Sequence, residues 1–184
     1  VVKYLLEDGY SVKTSVRNKN NKDKMAHLEE LSKEFPGKLE IFEADLLEED
    51  AFHEPIKGAE LVIHTASPFK VQGIKDPQTE LVDPALKGTK HVLEAVNASG
   101  TVKRVVLTSS VVAIYGDAIE LEKTENNVFT EKHWNTTSSL QHQPYNYSKT
   151  VAEKEGWRMQ AEQDRWDLLV VNPSPKSSVY FGVH

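Results

Sequence analysis

The chain reads as an α/β protein, a doubly wound parallel sheet with helices on both faces. Two observations predict that class. Short, nearly continuous apolar runs alternate with helical stretches from Val1 to Ser174. That alternation builds right-handed βαβ units, whose strands are buried on both faces. The apolar runs also end on polar residues, "SVRNKN", "EADL", "HTASP", "LTSS" and "NPS", and such sheets bind ligands at the C-terminal ends of their strands.

The chain opens in a helix, where Val1, Val2, Leu5 and Leu6 form an apolar stripe and Gly9 sits at the position of a C-terminal cap. "YSVKTSVR" is a strand of alternating character. "KDKMAHLEELSKEF" is an amphipathic helix with Met25, Leu28 and Leu31 on one face, ended by Pro36-Gly37. "KLEIFEA" is the next strand, "EEDAFHEPI" a short helix and "ELVIHTA" a buried strand. The clearest helix spans about Glu80 to Ala98, where Leu81, Val82, Ala85, Leu86, Thr89, Val92, Leu93 and Val96 follow the helical period. Pro84 falls near its start, where proline is tolerated or kinks a longer helix. "VKRVVLTSS" and "LLVVNP" are strands, with a helix beginning around Tyr145 between them.

Bulk properties narrow the function. A chain of 184 residues forms one core, and a formal charge of -6 argues against general binding to nucleic acid or a membrane surface. The chain has no cysteine, so no disulfide framework exists. That fits a reducing compartment, and the cytoplasm is the expected location. No apolar run spans a bilayer and no secretory leader opens the chain, so the Asn-x-Ser/Thr triplets at Asn97, Asn135 and Asn146 read as chance. The seven histidines show no metal-ligand spacing, and His64 reads as a core residue of its strand. No metal is expected.

The most informative pair is Tyr145 and Lys149, four residues apart in "PYNYSKTVAEKEGW". That spacing puts both side chains on one helix face. An ammonium near a phenol favours the phenolate, so Tyr145 is expected to titrate closer to neutrality and to serve as proton donor to a carbonyl.

Together, "GYSVKTSVRN", "FEADLLEEDAFHEPIKGAELVIHTASP", "VDPALKGTKHVLEAV", "VKRVVLTSSVVAIYG" and "YNYSKTVAEKEGW" resemble the extended short-chain dehydrogenase/reductase family. The similarity is greatest to its dihydroflavonol-reductase-, cinnamoyl-CoA-reductase- and aldehyde-reductase-like branch. The resemblance implies a Rossmann-like doubly wound parallel sheet. It implies that Tyr145 is the catalytic acid, that Lys149 lowers its pKa and holds the nicotinamide ribose, and that Ser110 hydrogen-bonds the substrate carbonyl. Ser109 then only caps backbone groups. For the cofactor it implies Arg17 at the adenosine ribose, where a guanidinium favours the 2′-phosphate of NADP(H) over NAD(H). Lys24 is a second basic position, Asp45 and Leu46 contact adenine, Thr65, Ala66 and Ser67 pass beneath the cofactor, and Pro173 lies beside the nicotinamide.

Two departures from the family bear on this reading. The family begins with a strand and a glycine-rich loop that cradles the pyrophosphate at a helix N-terminus; this chain starts within the following helix. The sheet is therefore expected to lack its first strand, leaving two neighbours unpaired. The tail "SPKSSVYFGVH" also lacks the apolar run and Gly-Pro that the family shows. The expected organisation is a partial NAD(P)-binding domain over 1–174 and an atypical tail over 175–184, a fragment of a longer enzyme.

The leading reading is an NADPH-dependent reductase of a ketone or aldehyde, acting on a small molecule as a monomer or homodimer. A nucleotide-sugar epimerase or dehydratase of the same fold is the enzymatic alternative, and a non-catalytic truncated product is the third. The segment Asp117 to Gln143 is expected to border the substrate pocket, with Trp134 packed against the domain.

Overall fold

The structure, a computed structural model, describes residues 1–67 and 73–174. The tail 175–184 and Pro68 of "HTASP" lie outside the described residues. Strands and helices alternate as α1 (Val2–Glu7), β1 (Val12–Val16), α2 (Lys22–Glu34), β2 (Leu39–Glu43), α3 (His53–Ile56), β3 (Leu61–His64), α4 (Asp83–Ser99), β4 (Arg104–Thr108), α5 (Pro144–Ala161) and β5 (Asp167–Val171). Every strand pair is parallel. Among the described residues no helix is long and apolar enough to cross a membrane.

Local chemistry sets the element ends. Gly9 adopts φ +90 just after α1, a conformation that favours glycine, and its N–H bonds the Leu6 carbonyl at 3.0 Å. The Asn21 side chain caps α2 by accepting from the Lys24 N–H at 3.2 Å. A single π-helical turn, Gln78–Val82, runs directly into α4, so Pro84 lies within a longer helix, just after the stretch where the α-helical pattern gives way to the wider turn. The short helix expected over 48–56 is helical only at His53–Ile56.

The expected gap in the sheet is present. The strands do not form one continuous sheet: β1 pairs with β2, while β3, β4 and β5 form a separate sheet in that order. Between them lies a slot of about 860 Å³, lined by Val12, Thr14, Val62, His64 and Thr65 among others. A strand edge with no neighbour leaves its backbone N–H and C=O groups unpaired, and among the described residues no strand lies between β1 and β3 to join the two sheets. The predicted parallel order survives within each sheet.

The main core lies between α4, α5 and the three-stranded sheet. Val92, Leu93, Ala95 and Val96 of α4 meet Val105, Leu107 and Leu168, with Met159 and Trp166 closing one side. Trp166 is anchored by its Nε1–H, which donates to Asn97 Oδ1 at 2.8 Å. Gly156 lets α5 approach the sheet: a Cβ there would lie 3.1 Å from Leu107 Cδ2 and 3.5 Å from Leu168 Cδ2. On the solvent side Arg104 forks onto Asp167, fixing the β4–β5 register at its N-terminal end.

Leu93 is 1% exposed in the middle of this core. Leu93→Ala is expected to cost about 2–5 kcal/mol, read by chemical denaturation; a loss below about 1 kcal/mol would show that α4 does not pack as described.

Candidate active site

Parallel strands place all their C-terminal ends on one edge of a sheet. In this chain the first or second residue after each strand is a predicted site residue: Arg17 after β1, Asp45 after β2, Thr65 after β3, Ser110 after β4 and Pro173 after β5.

The edge of the two-stranded sheet carries charge. Arg17 Nε lies 3.3 Å from Asp45 Oδ2, so two residues picked out separately in the sequence form an ion pair. The Arg17 side chain is 79% exposed, which leaves its guanidinium open to a further anion. Glu43 adds a second carboxylate there, accepting from the Lys19 N–H at 2.8 Å. The sequence "VRNKNNK" carries no acid, so only the β1–β2 register brings these carboxylates to Arg17. Lys24 stays exposed in the first turn of α2. Leu46 faces inward: its side chain packs at Gly88 of α4 and its carbonyl bonds His91 Nδ1 at 2.8 Å.

The edge of the three-stranded sheet holds a narrow crevice. His64, Ala66, Ser67, Thr89, Ser109, Lys149 and Glu153 line it. His64 and Ala66 also line the larger slot between the sheets, together with Thr65, so this strand end borders both spaces. Lys149 is 7% exposed, and burial pushes its ammonium below the usual lysine range, opposed by the attraction of Glu153. His64 is also 7% exposed; burial, reinforced by the Lys149 charge, lowers its pKa to about 4, so the imidazole is neutral. That agrees with the reading of His64 as a core residue and adds that it faces the lysine.

Two expectations for the catalytic residues change. Tyr145 is half-buried, and burial raises the pKa of its phenol rather than lowering it. Lys149 is turned into the crevice beside His64 and Glu153, and the desolvation of the phenol prevails. Ser109 also departs from its expected capping role. Ser110 Oγ accepts from the Val112 N–H at 3.4 Å, capping the 3-10 turn Val111–Ala113. Ser109 Oγ is buried with no hydrogen-bond partner among the described residues, so it does not cap.

Sequence reasoning missed a polar tie beneath this edge. The Asn172 side-chain amide donates to the Ser110 carbonyl at 3.1 Å and to Glu153 Oε2 at 2.8 Å. The Ser109 N–H bonds the Val171 carbonyl at 2.9 Å and the Val111 N–H bonds that of Pro173 at 3.1 Å, so the ends of β4 and β5 stay joined past the strands. The available signal was the repeat of four: Tyr145, Lys149, Glu153 and Trp157 lie one helical turn apart.

The segment 117–143 packs around buried Glu120. Its carboxylate accepts from the Gly116 N–H at 2.6 Å, the Thr136 N–H at 2.6 Å and Thr136 Oγ1 at 2.5 Å. Asn135 is 5% exposed and donates to the Val112 carbonyl, so this triplet asparagine is engaged inside the fold. Gln143 adopts φ +54 directly before α5 and is held by Asp117, Ser138 and Asn146. Trp134 lies under Lys154 of α5, 5.2 Å from ammonium to ring, as expected for packing against the domain. Among the described residues no cluster of acidic or histidine side chains could hold a metal.

Known proteins share both this sequence pattern and this geometry. The profile of the NAD dependent epimerase/dehydratase family matches residues 1–180. The chain belongs to that family. It is 40% identical over 179 residues to cinnamoyl-CoA reductase CAD2 of Medicago truncatula, covering 95% of this chain and 52% of that protein. It is 38% identical over 179 residues to an anthocyanidin reductase of Vitis vinifera, covering 95% and 51%. Among solved structures, yeast methylglyoxal/isovaleraldehyde reductase Gre2 complexed with NADPH superposes with a TM-score of 0.79 at 31% identity, covering 94% of this chain and 53% of that one. Gre2 of Candida albicans in complex with NADPH gives 0.79 at 34% identity, with the same coverage. The chain thus spans about half the length of the curated relatives it matches. The fold is Rossmann-like, as expected.

The buried neutral His64 gives a pH signature. Its folded pKa of about 4 lies below the ordinary 6.5, so the unfolded chain binds the extra proton between those values. Stability is therefore full above about pH 6.5 and falls as the pH drops towards 4, by about 3 kcal/mol from this group. Denaturation midpoints of His64→Gln should show a flatter slope than wild type across that window; parallel slopes would place the imidazole in water.

Proposed function

We propose that the intact protein is an NADPH-dependent reductase of a ketone or aldehyde on a small organic molecule. The observation that carries this reading is the buried Lys149 in a strand-end crevice, one helical turn from Tyr145 on α5. The 38–40% identity to plant reductases and the likeness to two NADPH complexes support it. They favour reduction over the epimerase or dehydratase alternative.

The residues present fit a dinucleotide. Arg17 offers an exposed planar donor fork whose only ion pair among the described residues is with Asp45. We assign it to the 2′-phosphate, with Lys24 as a second cation in the neighbouring turn, and Asp45 and Leu46 to the adenine side. Thr65, Ala66 and Ser67 supply the floor of the site, and Pro173 its far wall. When bound, the nicotinamide supplies the hydride. Tyr145 keeps its proton at neutral pH, because burial raises its pKa, and it gives that proton to the carbonyl oxygen as negative charge develops. Ser110 donates its hydroxyl hydrogen to the same oxygen. Lys149 holds the ribose, and its positive charge eases the departure of the phenolic proton. Monomer and homodimer both agree with this reading.

Removing the acid should be costly. Tyr145→Phe is expected to lower turnover by about two or more orders of magnitude, with NADPH affinity nearly unchanged because the ring remains. Turnover within about threefold of wild type would exclude Tyr145 as the donor. For the cofactor, Arg17→Ala should weaken NADPH by about one to two decades, the scale of a charge-assisted bond, and leave NADH nearly unchanged. Isothermal titration giving equal losses for both cofactors would move the phosphate contact elsewhere.

A further inference from the structure

A charged side chain is rarely buried without a counter-charge, and Lys149 is buried. Glu153, four residues on and one turn further along α5, lines the same crevice and is also 7% exposed. Its carboxylate is held from two directions. Oε2 accepts from the Asn172 amide at 2.8 Å, and Oε1 faces the Trp157 indole N–H at 3.4 Å. Asn172 belongs to the chain leaving β5 and is itself fixed on the Ser110 carbonyl. The carboxylate is therefore fixed relative to the serine strand end, in the crevice that Lys149 also lines.

We propose that Glu153 is a positioning residue of this site: locked by Asn172 and Trp157, it supplies the counter-charge that keeps Lys149 in its working state. The proposal rests on the reductase reading above and deepens it. Glu153 reaches no reacting atom; it acts through Lys149.

The other charged groups near the lysine do not replace it. His64, from β3, is neutral and offers no negative charge. From α4 the crevice receives only Thr89, and from the β4 end Leu107, Thr108 and Ser109. Lys90 of α4 acts on Glu155 instead. In the π-helical turn packed on α5, the Glu80 carboxylate accepts from the Lys75 and Asp76 N–H groups. On α5 itself, the neighbour one turn before the lysine is the uncharged phenol of Tyr145. The attraction of Glu153 is what opposes the desolvation of Lys149.

The sign of the effect is fixed. Deleting a negative charge lowers the pKa of a neighbouring ammonium, so Lys149 loses its proton at lower pH in Glu153→Gln. The decisive experiment is an NMR titration of the intact protein with 13C-labelled lysine, the Lys149 resonance assigned by its loss in Lys149→Arg. The Lys149 midpoint should fall by about one pH unit or more in Glu153→Gln and return towards wild type in Glu153→Asp, which restores the charge. This readout needs no turnover, so it stands or falls separately from the reductase reading. Where NADPH oxidation is measured, the alkaline limb of the kcat profile should move to lower pH by the same amount. Above the midpoint, activity would then be about tenfold lower for each pH unit that the limb moves; well below it, activity would stay near wild type. An unchanged Lys149 midpoint, a Glu153→Gln protein that no longer folds, or a Glu153→Asp protein equally impaired at every pH would assign Glu153 to packing alone and overturn the proposal.

Discussion

Parallel pairing of β4 with β3 and β5 is the constraint on which this molecule depends. Parallel strands need crossover helices; α4 and α5 cover one face of the sheet and Val105, at its centre, is fully buried, whereas Leu169 and Val171 on the other face of β5 stay exposed. The same pairing directs each strand end to one edge. Within each sheet the strand ends gather residues from separate segments: Arg17 and Asp45 on the two-stranded sheet, Thr65, Ser110 and Pro173 on the three-stranded one. Function on this edge follows from topology before any single side chain is considered.

Beneath the edge, electrostatics and packing act on the same atoms. Burial of Lys149 disfavours its charge, burial of His64 removes a competing charge, and burial of Tyr145 keeps its proton on. The structure offsets these costs with few partners. Asn172 ties Glu153 to the Ser110 backbone, and backbone bonds from Ser109 and Val111 join the two strand ends. A half-buried phenol thus lies one helical turn from a buried lysine, where desolvation and the attraction of Glu153 oppose each other.

The alternation of elements was legible in the sequence because a buried strand and an amphipathic helix carry different periods. α4 is the clearest case, with Ala85, Thr89, Val92, Leu93 and Val96 buried as the pattern required. α5 was legible through one pair only. Its buried face is polar, with Ser148, Lys149, Thr150 and Glu153, so hydrophobic periodicity says little about it. The positions of strand-end residues followed from the topology, whereas their states did not. Direction of titration at Tyr145, the Arg17–Asp45 pair and the absence of a partner for the Ser109 hydroxyl among the described residues depend on register and burial, which a linear pattern does not encode. Glu153 and Asn172 escaped notice because their partner lies on another segment, 19 residues apart in the chain.

The reductase function proposed for the intact protein requires hydride transfer to a carbonyl with net consumption of NADPH. The most direct measurement uses NADPH deuterated at the transferable position of the nicotinamide, with the intact protein and a ketone or aldehyde substrate. The expected product is an alcohol carrying deuterium on the former carbonyl carbon, with one cofactor oxidised for each product formed. Product without deuterium, or turnover with no net oxidation of NADPH, would contradict it.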